Sequence, residues 1–112
     1  MEQAAGILSL VTTVGSVEDA RRLASALLER RLAACVQLDA GVQSHYRWDG
    51  KACVDTEVRL TVKSLPARLA DLQAFFATEH PYDLPQLVWQ VDQASPAYAA
   101  WVGAEVAPVS GR

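Results

Sequence analysis

Apolar residues recur along the chain with two different spacings, and each spacing predicts a different element. Ile7–Thr13 is a short run of apolar and β-branched residues that ends at Gly15, which is typical of a buried central strand. Over Val17–Arg31 the apolar residues instead recur at helical spacing, and Ser16 with Asp19 is a capping-box pattern at the start of this predicted helix. A right-handed crossover is therefore expected, with the strand after the helix parallel to the first strand.

The middle of the sequence predicts a long antiparallel ribbon. We expect a strand over 33–38, a turn at Asp39-Ala40-Gly41 and a second strand over Val42–Trp48. Asp49-Gly50 is a two-residue turn signal, so the chain is expected to reverse again and continue through Lys51–Val54. Period-two alternation on the second strand gives one face that can be buried, formed by Val42, Ser44, Tyr46 and Trp48.

The second half of the chain repeats the order of strand, helix and strand. Thr56–Lys63 alternates in hydrophobicity, as expected of a strand with one buried and one wet face. A helix capped by Ser64 follows and ends before Pro81, Gln86–Asp92 predicts the last core strand, and Ser95-Pro96 opens a short C-terminal helix. The order β-α-β-β-α-β, with an extended middle hairpin and an added C-terminal helix, predicts an α+β fold of the ferredoxin-like class.

Length and charge restrict the classes of function. The 112 residues are predicted to form one domain, 1–112, with a frayed end at 107–112. The net charge of −3, without a cluster of Lys and Arg, argues against a nucleic-acid partner. Met1–Val14 has no continuous apolar span, so we expect neither a secretory signal nor a membrane helix and place the protein in the cytoplasm. Cys35 and Cys53 lack a CxxC pair and nearby His ligands, so reduced thiols are expected rather than a disulfide or a zinc site.

Five motifs, taken in order, resemble those of one protein family. They are Leu32-Ala33-Ala34-Cys35-Val36, Ser44-His45-Tyr46-Arg47-Trp48-Asp49-Gly50, Glu57-Val58-Arg59-Leu60 with Lys63-Ser64, His80-Pro81-Tyr82-Asp83-Leu84-Pro85, and Tyr98 with Trp101. In these motifs the chain is similar to the CutA divalent-cation tolerance proteins, over about 7–106. The resemblance implies a ferredoxin-like homotrimer with a role in divalent-metal tolerance, and binding of Cu(2+) or another divalent cation.

The chain departs from the family pattern at the proposed metal ligands. A bacterial member has a cysteine just after the first strand where this chain has Thr12, and a pair of histidines before Pro-Tyr where this chain has Glu79-His80. His80 is thus the retained ligand, with Glu79 as an oxygen donor beside it. Because copper favours imidazole and thiolate donors, we expect weak metal binding that needs further ligands from another subunit or from water. The residues alone also allow a second interpretation, in which His80 interacts with the dipole and free carbonyls of a helix C-terminus.

A further set of residues is expected at an inter-subunit cleft or interface: Tyr46, Trp48, Glu57, Lys63, Tyr82 and Trp101. The aromatic members can line a ligand cleft, although aromatics at this spacing more often form core or subunit contacts. Lys63 shares a predicted strand face with Glu57 and Arg59. This face would bind an anion between subunits in one interpretation, and is an ordinary exposed surface of mixed charge in the other.

Two other classes of function stay open. One is a trimeric ligand-sensing module that resembles the PII-type signal proteins, which would bind a small anion or nucleotide in clefts between subunits. The other is a small enzyme that uses His80 with Glu57 or Asp83 as general acid and base. The sequence contains no recognisable set of nucleophile, base and orienting residue and no Gly-rich phosphate loop, so we expect that the protein is not an enzyme.

Overall fold

The computed structural model describes residues 5–106. The elements in chain order are β1 (Ala5–Val14), α1 (Val17–Glu29), β2 (Cys35–Trp48), β3 (Lys51–Ser64), a short 3-10 helix (Pro66–Arg68), α2 (Leu69–Glu79), β4 (Val88–Ala94) and α3 (Pro96–Glu105). This order confirms the predicted α+β succession of strands and helices. The predicted fraying of 107–112 lies outside the described residues.

The four strands form one antiparallel sheet in the order β2-β3-β1-β4. β1 pairs with β3 on one side and with β4 on the other, and β2 pairs with β3. Because β3 runs antiparallel to both of its neighbours, β2 is parallel to β1, as the crossover predicted, but the two strands are not adjacent. Strand β1 is therefore central, and this explains why its sequence is almost continuously apolar.

The main core lies between one face of the sheet and the helices α1 and α2. On β3, Val58, Leu60 and Val62 are buried, which confirms the inward face expected from alternation. The helices contribute their apolar stripes, and the cluster includes Leu23 and Leu27 of α1 with Leu72, Phe75 and Phe76 of α2. Each large side chain removed from water in this way contributes roughly 1.5–3 kcal/mol to folding.

The ribbon differs from its predicted form at one end. The prediction of a turn at Asp39-Ala40-Gly41 is wrong, since β2 continues through these residues as one strand. Asp39 still pairs with Arg59 and Val42 with Glu57, so β2 carries one extra residue here and forms a bulge, with Gly41 at φ 76°. A bulge accommodates the extra residue without reversing the chain, which is why residues typical of turns do not form a turn here.

The turn that closes the ribbon is the one predicted at Asp49-Gly50. Both residues have positive φ, at 52° and 76°, as this type of two-residue hairpin requires. On its far side, Lys51–Ser64 is a single strand, so the prediction of two separate strands, at Lys51–Val54 and Thr56–Lys63, is corrected. Asp55, at the predicted break, pairs with Ser44 and stays in the sheet.

The ends of several elements differ from the sequence prediction. Helix α1 ends at Glu29 rather than Arg31, because Arg31 adopts a positive φ of 55°. Ser64 does not cap the second helix: its side chain is buried and donates to the Leu32 carbonyl at 2.7 Å. The last strand begins at Val88 and ends at Ala94, two residues later than predicted at each end.

Two predicted helix caps are confirmed. The Ser16 side chain accepts from the Asp19 backbone amide at 3.1 Å, and the Ser95 side chain accepts from the Tyr98 amide at 3.3 Å. Helix α3 then places Val102 in a second buried cluster with Ile7 and Val106. Within residues 5–106, no helix has both the length and the apolar character that crossing a bilayer requires.

Candidate functional site

A cleft of about 820 Å³ lies between the ribbon and the loop that joins α2 to β4. The ribbon contributes its outer part, and the loop contributes residues that follow His80. The cleft is lined by Thr13, Ser44, His45, Tyr46, Trp48, Asp55, Glu57, Pro81, Tyr82, Asp83, Leu84 and Gln86. Of the residues expected at an inter-subunit cleft or interface, it brings together Tyr46, Trp48, Glu57 and Tyr82.

Glu57 links the ribbon to the loop. Its Oε1 accepts a hydrogen bond from Ser44 Oγ at 2.6 Å, and its Oε2 accepts one from the Tyr82 hydroxyl at 2.7 Å. Burial of Tyr82, and next its hydrogen bond to Glu57, raise the pKa of this phenol above its usual range. The phenol therefore remains a donor at neutral pH and holds the loop against β3.

A second phenol is paired with a carboxylate nearer the ribbon tip. The Tyr46 hydroxyl donates to Asp55 Oδ2, across the β2–β3 pair. This hydrogen bond is the main reason that the pKa of Tyr46 is raised to about 12. The cleft therefore presents protonated phenols beside carboxylates.

His80 uses both ring nitrogens within the chain. Its Nδ1 accepts from the Tyr82 backbone amide at 3.1 Å, so Nδ1 carries no proton. The proton of the neutral ring is then on Nε2, which lies 2.9 Å from Thr12 Oγ1, and we assign Nε2 as the donor. The ring thus anchors the start of the loop to the central strand.

The environment of His80 favours this neutral form. Burial is the main cause that lowers its pKa, and the charge of Arg22 acts in the same direction. A hydrogen bond with the Thr13 backbone and the charges of Asp19 and Glu57 oppose the change without cancelling it. His80 follows α2 directly, and its backbone amide bonds to the Phe76 carbonyl at 3.1 Å.

The Glu79 carboxylate forms ion pairs with two arginines. Arg22 approaches one carboxylate oxygen at 3.3 Å, and Arg30 approaches the other at 3.7 Å. Arg22 also donates to the Glu79 backbone carbonyl at 3.0 Å. The two residues expected to share a metal therefore have different partners: Glu79 pairs with Arg22 of α1 and with Arg30, whereas the His80 ring bonds to β1 and to its own loop.

Lys63 and Trp101 do not line the cleft. Lys63 donates to Ser9 Oγ at 3.1 Å, and Ser9 donates in turn to Asp92 Oδ2 at 2.5 Å. This hydrogen bond from Ser9 is the main cause that lowers the pKa of Asp92. Trp101 lies on α3, with its ring 5.6 Å from that of Tyr98.

Sequence reasoning missed the cleft residues Ser44 and Asp55 as members of the site. Their pairing could have been found, because counting outward from the Asp49-Gly50 turn places Ser44 opposite Asp55. By contrast, no sequence signal places Thr13 and Gln86 beside each other. Their side chains lie 3.4 Å apart only because β1 and the loop meet in the folded chain.

Known proteins resemble this chain over most of its length. The family model described as CutA1 divalent ion tolerance protein matches residues 8–105. The chain belongs to this family. It is 41% identical over 88 residues to the divalent-cation tolerance protein CutA of Pectobacterium atrosepticum, covering 78% of this chain and 80% of that protein.

Other CutA proteins match the chain at lower identity. The chain is 36% identical over 85 residues to the CutA homolog of Xenopus laevis. This match covers 75% of this chain but only 56% of the frog protein. The solved structure of CutA from Synechococcus elongatus superimposes with a TM-score of 0.89 at 34% identity, covering 95% of each chain. The CutA fold is thus shared over nearly the whole length.

Proposed function

We propose that this CutA family member is a homotrimeric, non-enzymatic divalent-cation tolerance protein of the cytoplasm. The observation that carries the assembly is the amount of large apolar surface left open by a single chain. Trp48 is 57% exposed, Val54 is 56% exposed and Leu84 is 71% exposed. Large apolar side chains that stay in water in one copy are typical of surfaces that another copy covers.

The edges of the sheet support the same proposal. In the order β2-β3-β1-β4, β2 and β4 each have one side without a partner strand within the described residues. On β4, Val88 and Val91 are also exposed. Apolar edge strands invite further pairing, and a closed ring of copies satisfies both edges of every subunit without leaving a free end.

Sedimentation equilibrium at micromolar concentration tests the assembly. We expect a single species of three times the chain mass of 12.1 kDa. A monomer at this concentration would contradict the proposal. A dimer would show that a symmetric contact covers the ribbon instead of a ring.

The metal implied by the family name does not fit a tight site within one chain. Within residues 5–106, no group of three or more His, Cys, Asp or Glu residues is placed to hold an ion. Both nitrogens of His80 are hydrogen-bonded, and Glu79 pairs with arginines. We therefore propose that Cu(II) binding at His80 is weak, since an ion must displace the Tyr82 amide or the Thr12 hydroxyl from the ring.

Calorimetry with Cu(II) at neutral pH tests the copper proposal. Wild type should bind weakly, His80→Ala should lose that binding, and the His45→Ala variant should retain it. Binding should also fall as the pH drops and the imidazole becomes protonated, because only the neutral ring is a ligand. Equal binding by wild type and His80→Ala would show that copper is held elsewhere.

The PII-like alternative is weakened by the charge of the cleft. An anion or nucleotide would need cationic or amide donors around it. Lys63 and Arg59, the cations expected there, are absent from the cleft lining, which instead includes Asp55, Glu57 and Asp83. A ligand-sensing role for this cleft would therefore involve a ligand of the opposite charge.

A further inference from the structure

We propose that Glu57 is a positioning residue for His80: by holding the phenol of Tyr82, it keeps one nitrogen of the imidazole occupied and so controls the access of a metal ion to the ring. This role of Glu57 rests on the copper binding proposed at His80 and adds the residue that regulates it. It depends only on hydrogen bonds within one chain, which a neighbouring copy of the protein can cover without breaking.

A series of hydrogen bonds leads from Glu57 to the imidazole through a single residue. Glu57 Oε2 accepts from the Tyr82 hydroxyl at 2.7 Å, and the Tyr82 backbone amide donates to His80 Nδ1 at 3.1 Å. The rings of Tyr82 and His80 also lie close together, with 5.2 Å between their centroids. Tyr82 therefore contacts the carboxylate with its side chain and the imidazole with its backbone, so release of the side chain leaves the backbone free to move.

Both ends of this series are fixed to the sheet. Glu57 Oε1 accepts from Ser44 Oγ at 2.6 Å, so a bond to β2 orients the carboxylate that receives the phenol. At the other end, His80 Nε2 lies 2.9 Å from Oγ1 of Thr12, a fully buried residue of β1. Strands β1 and β3 are paired neighbours, so the distance between the two anchors is set by the backbone of the sheet.

The backbone between the imidazole and the phenol is stiff. Pro81 separates His80 from Tyr82, and its ring fixes its own φ and restricts the residue before it. His80 accordingly has φ −72° and ψ 135°, the extended conformation expected before a proline. With few free torsions between the two rings, the hydrogen bond at the phenol holds the amide in place, and loss of that bond lets the loop withdraw it.

The occupied nitrogen makes the ring a poor metal ligand. In the neutral imidazole the free lone pair is on Nδ1, which is the atom that the Tyr82 amide fills. A metal ion can bind this atom only in the fraction of molecules from which the amide has moved away, and the apparent affinity is reduced by that fraction. Glu57 sets the fraction, because it holds the loop against β3 through Tyr82.

Amide hydrogen exchange and Cu(II) calorimetry on the full-length protein test this role. Tyr82→Phe removes the hydroxyl and keeps the ring and the backbone amide. The amide at position 82 should exchange about tenfold faster, the scale of one hydrogen bond to a charged acceptor. The affinity for Cu(II) should rise by a similar factor, because both measurements report the open fraction.

The matched control is Tyr46→Phe. It breaks the other bond between a phenol and a carboxylate on the ribbon, the one to Asp55, which has no part in the series that leads to His80. Exchange at position 82 and the affinity for Cu(II) should both stay at their wild-type values. Both tyrosine variants should sediment like the wild type, since neither loses an aromatic ring.

Nitrogen-15 NMR separates positioning of the ring from a general loss of stability. The chain has two histidines, so spectra of the labelled imidazoles are simple, and His45→Gln assigns them. In Glu57→Ala, the Nδ1 resonance of His80 should move towards that of a nitrogen without a hydrogen bond. Glu57→Gln should keep part of the wild-type shift, because its amide oxygen can still accept from the Tyr82 phenol.

The possible results separate this role from the copper proposal. Unchanged exchange at position 82 in Tyr82→Phe would overturn the positioning role, even if Glu57→Ala fails to fold. Faster exchange with unchanged affinity for Cu(II) would overturn the control of metal access. Equal Cu(II) binding by wild type and His80→Ala would contradict the copper proposal instead, and the exchange and nitrogen spectra would still decide whether Glu57 positions the ring.

Discussion

The two halves of β3 lie in opposite environments. In the second half, Val58, Leu60 and Val62 are at most 5% exposed and pack under α1 and α2. In the first half, Val54 remains mostly in water and pairs with the exposed His45, and the same part of β2 carries the exposed Tyr46 and Trp48. One strand thus passes from a core into solvent: its second half pairs with both β1 and β2, whereas its first half pairs with β2 alone.

The difference shows that alternation specifies a face but not what covers it. The second half of β3 alternates, and so does Val42–Trp48, the part of β2 that pairs with the first half. Only the second half lies beneath helices of the same chain. The ribbon around the first half carries the exposed large side chains of Tyr46, Trp48 and Val54, which is why a second copy of the chain is the cover that we propose.

Truncating a side chain of the core that covers the second half of β3 should have the largest effect. Phe76→Ala removes a fully buried ring from the core beneath the sheet, and we expect the free energy of unfolding to fall by about 3–5 kcal/mol. Urea unfolding monitored by circular dichroism measures this loss. A decrease smaller than about 1 kcal/mol would mean that the site refills easily and is not the packed core described here.

Truncating an exposed side chain of the ribbon should act on assembly instead. Trp48→Ala should weaken the trimer by at least about 2 kcal/mol per subunit, as expected for an aromatic anchor at an interface. The fold of each chain should persist, because Trp48 is largely exposed within it. Sedimentation over a dilution series measures the change, and an effect below about 0.5 kcal/mol would place Trp48 in solvent.

The loop at the border of the two regions should respond to pH through His80. The pKa of His80 is lowered in the folded chain, so the unfolded chain binds the proton more tightly. The stabilisation from neutral His80 is fully present above about pH 6.5, the unfolded value, and is lost as the pH falls towards the folded pKa. The thermal midpoint should therefore drop below about pH 6.5 in the wild type.

Matched variants assign this pH response to one histidine. His80→Gln should be less stable at neutral pH and should lose much of the additional drop on acidification. His45→Gln, which changes an exposed histidine on the ribbon, should keep the response. The same acid response in wild type and His80→Gln would assign the proton uptake to another group.

The smallest expected effect is a change in the pKa of one phenol on the ribbon, that of Tyr46. The pKa of Tyr46 is raised to about 12, mainly by its hydrogen bond to Asp55. Ultraviolet titration should therefore detect a tyrosine that ionises later in wild type than in Asp55→Asn. Identical titration curves would show that Tyr46 and Asp55 are not bonded in solution.

Local patterns predicted much of this fold from the sequence alone. The Asp49-Gly50 turn, the Ser16 cap and the inward face of Val58, Leu60 and Val62 each depend on residues close together in the chain. In such cases the preferred backbone conformation and the spacing of apolar residues are properties of the segment itself. The order of elements, and with it the ferredoxin-like class, followed from them.

Distant contacts decided what the sequence could not. Asp39-Ala40-Gly41 has the composition of a turn. It stays in the strand as a bulge because the residues before and after it on β2 pair with β3. Serine is a residue type that often caps helices, but the Ser64 hydroxyl donates to the Leu32 carbonyl instead. At the bulge, strand pairing on either side outweighs the local turn preference. Ser64 is buried, so its hydroxyl must find a partner where the fold supplies one.

The candidate site depends mostly on contacts between residues that are distant in the sequence. The sequence by itself determined that the chain carries Tyr46, Trp48, Glu57 and Tyr82, and which family it resembles. Only the tertiary structure joined Glu57 to Tyr82, separated Lys63 from both and occupied the nitrogens of His80. Charge and metal affinity depend on which groups meet in space, and that meeting is set by the packing of the loop against the sheet.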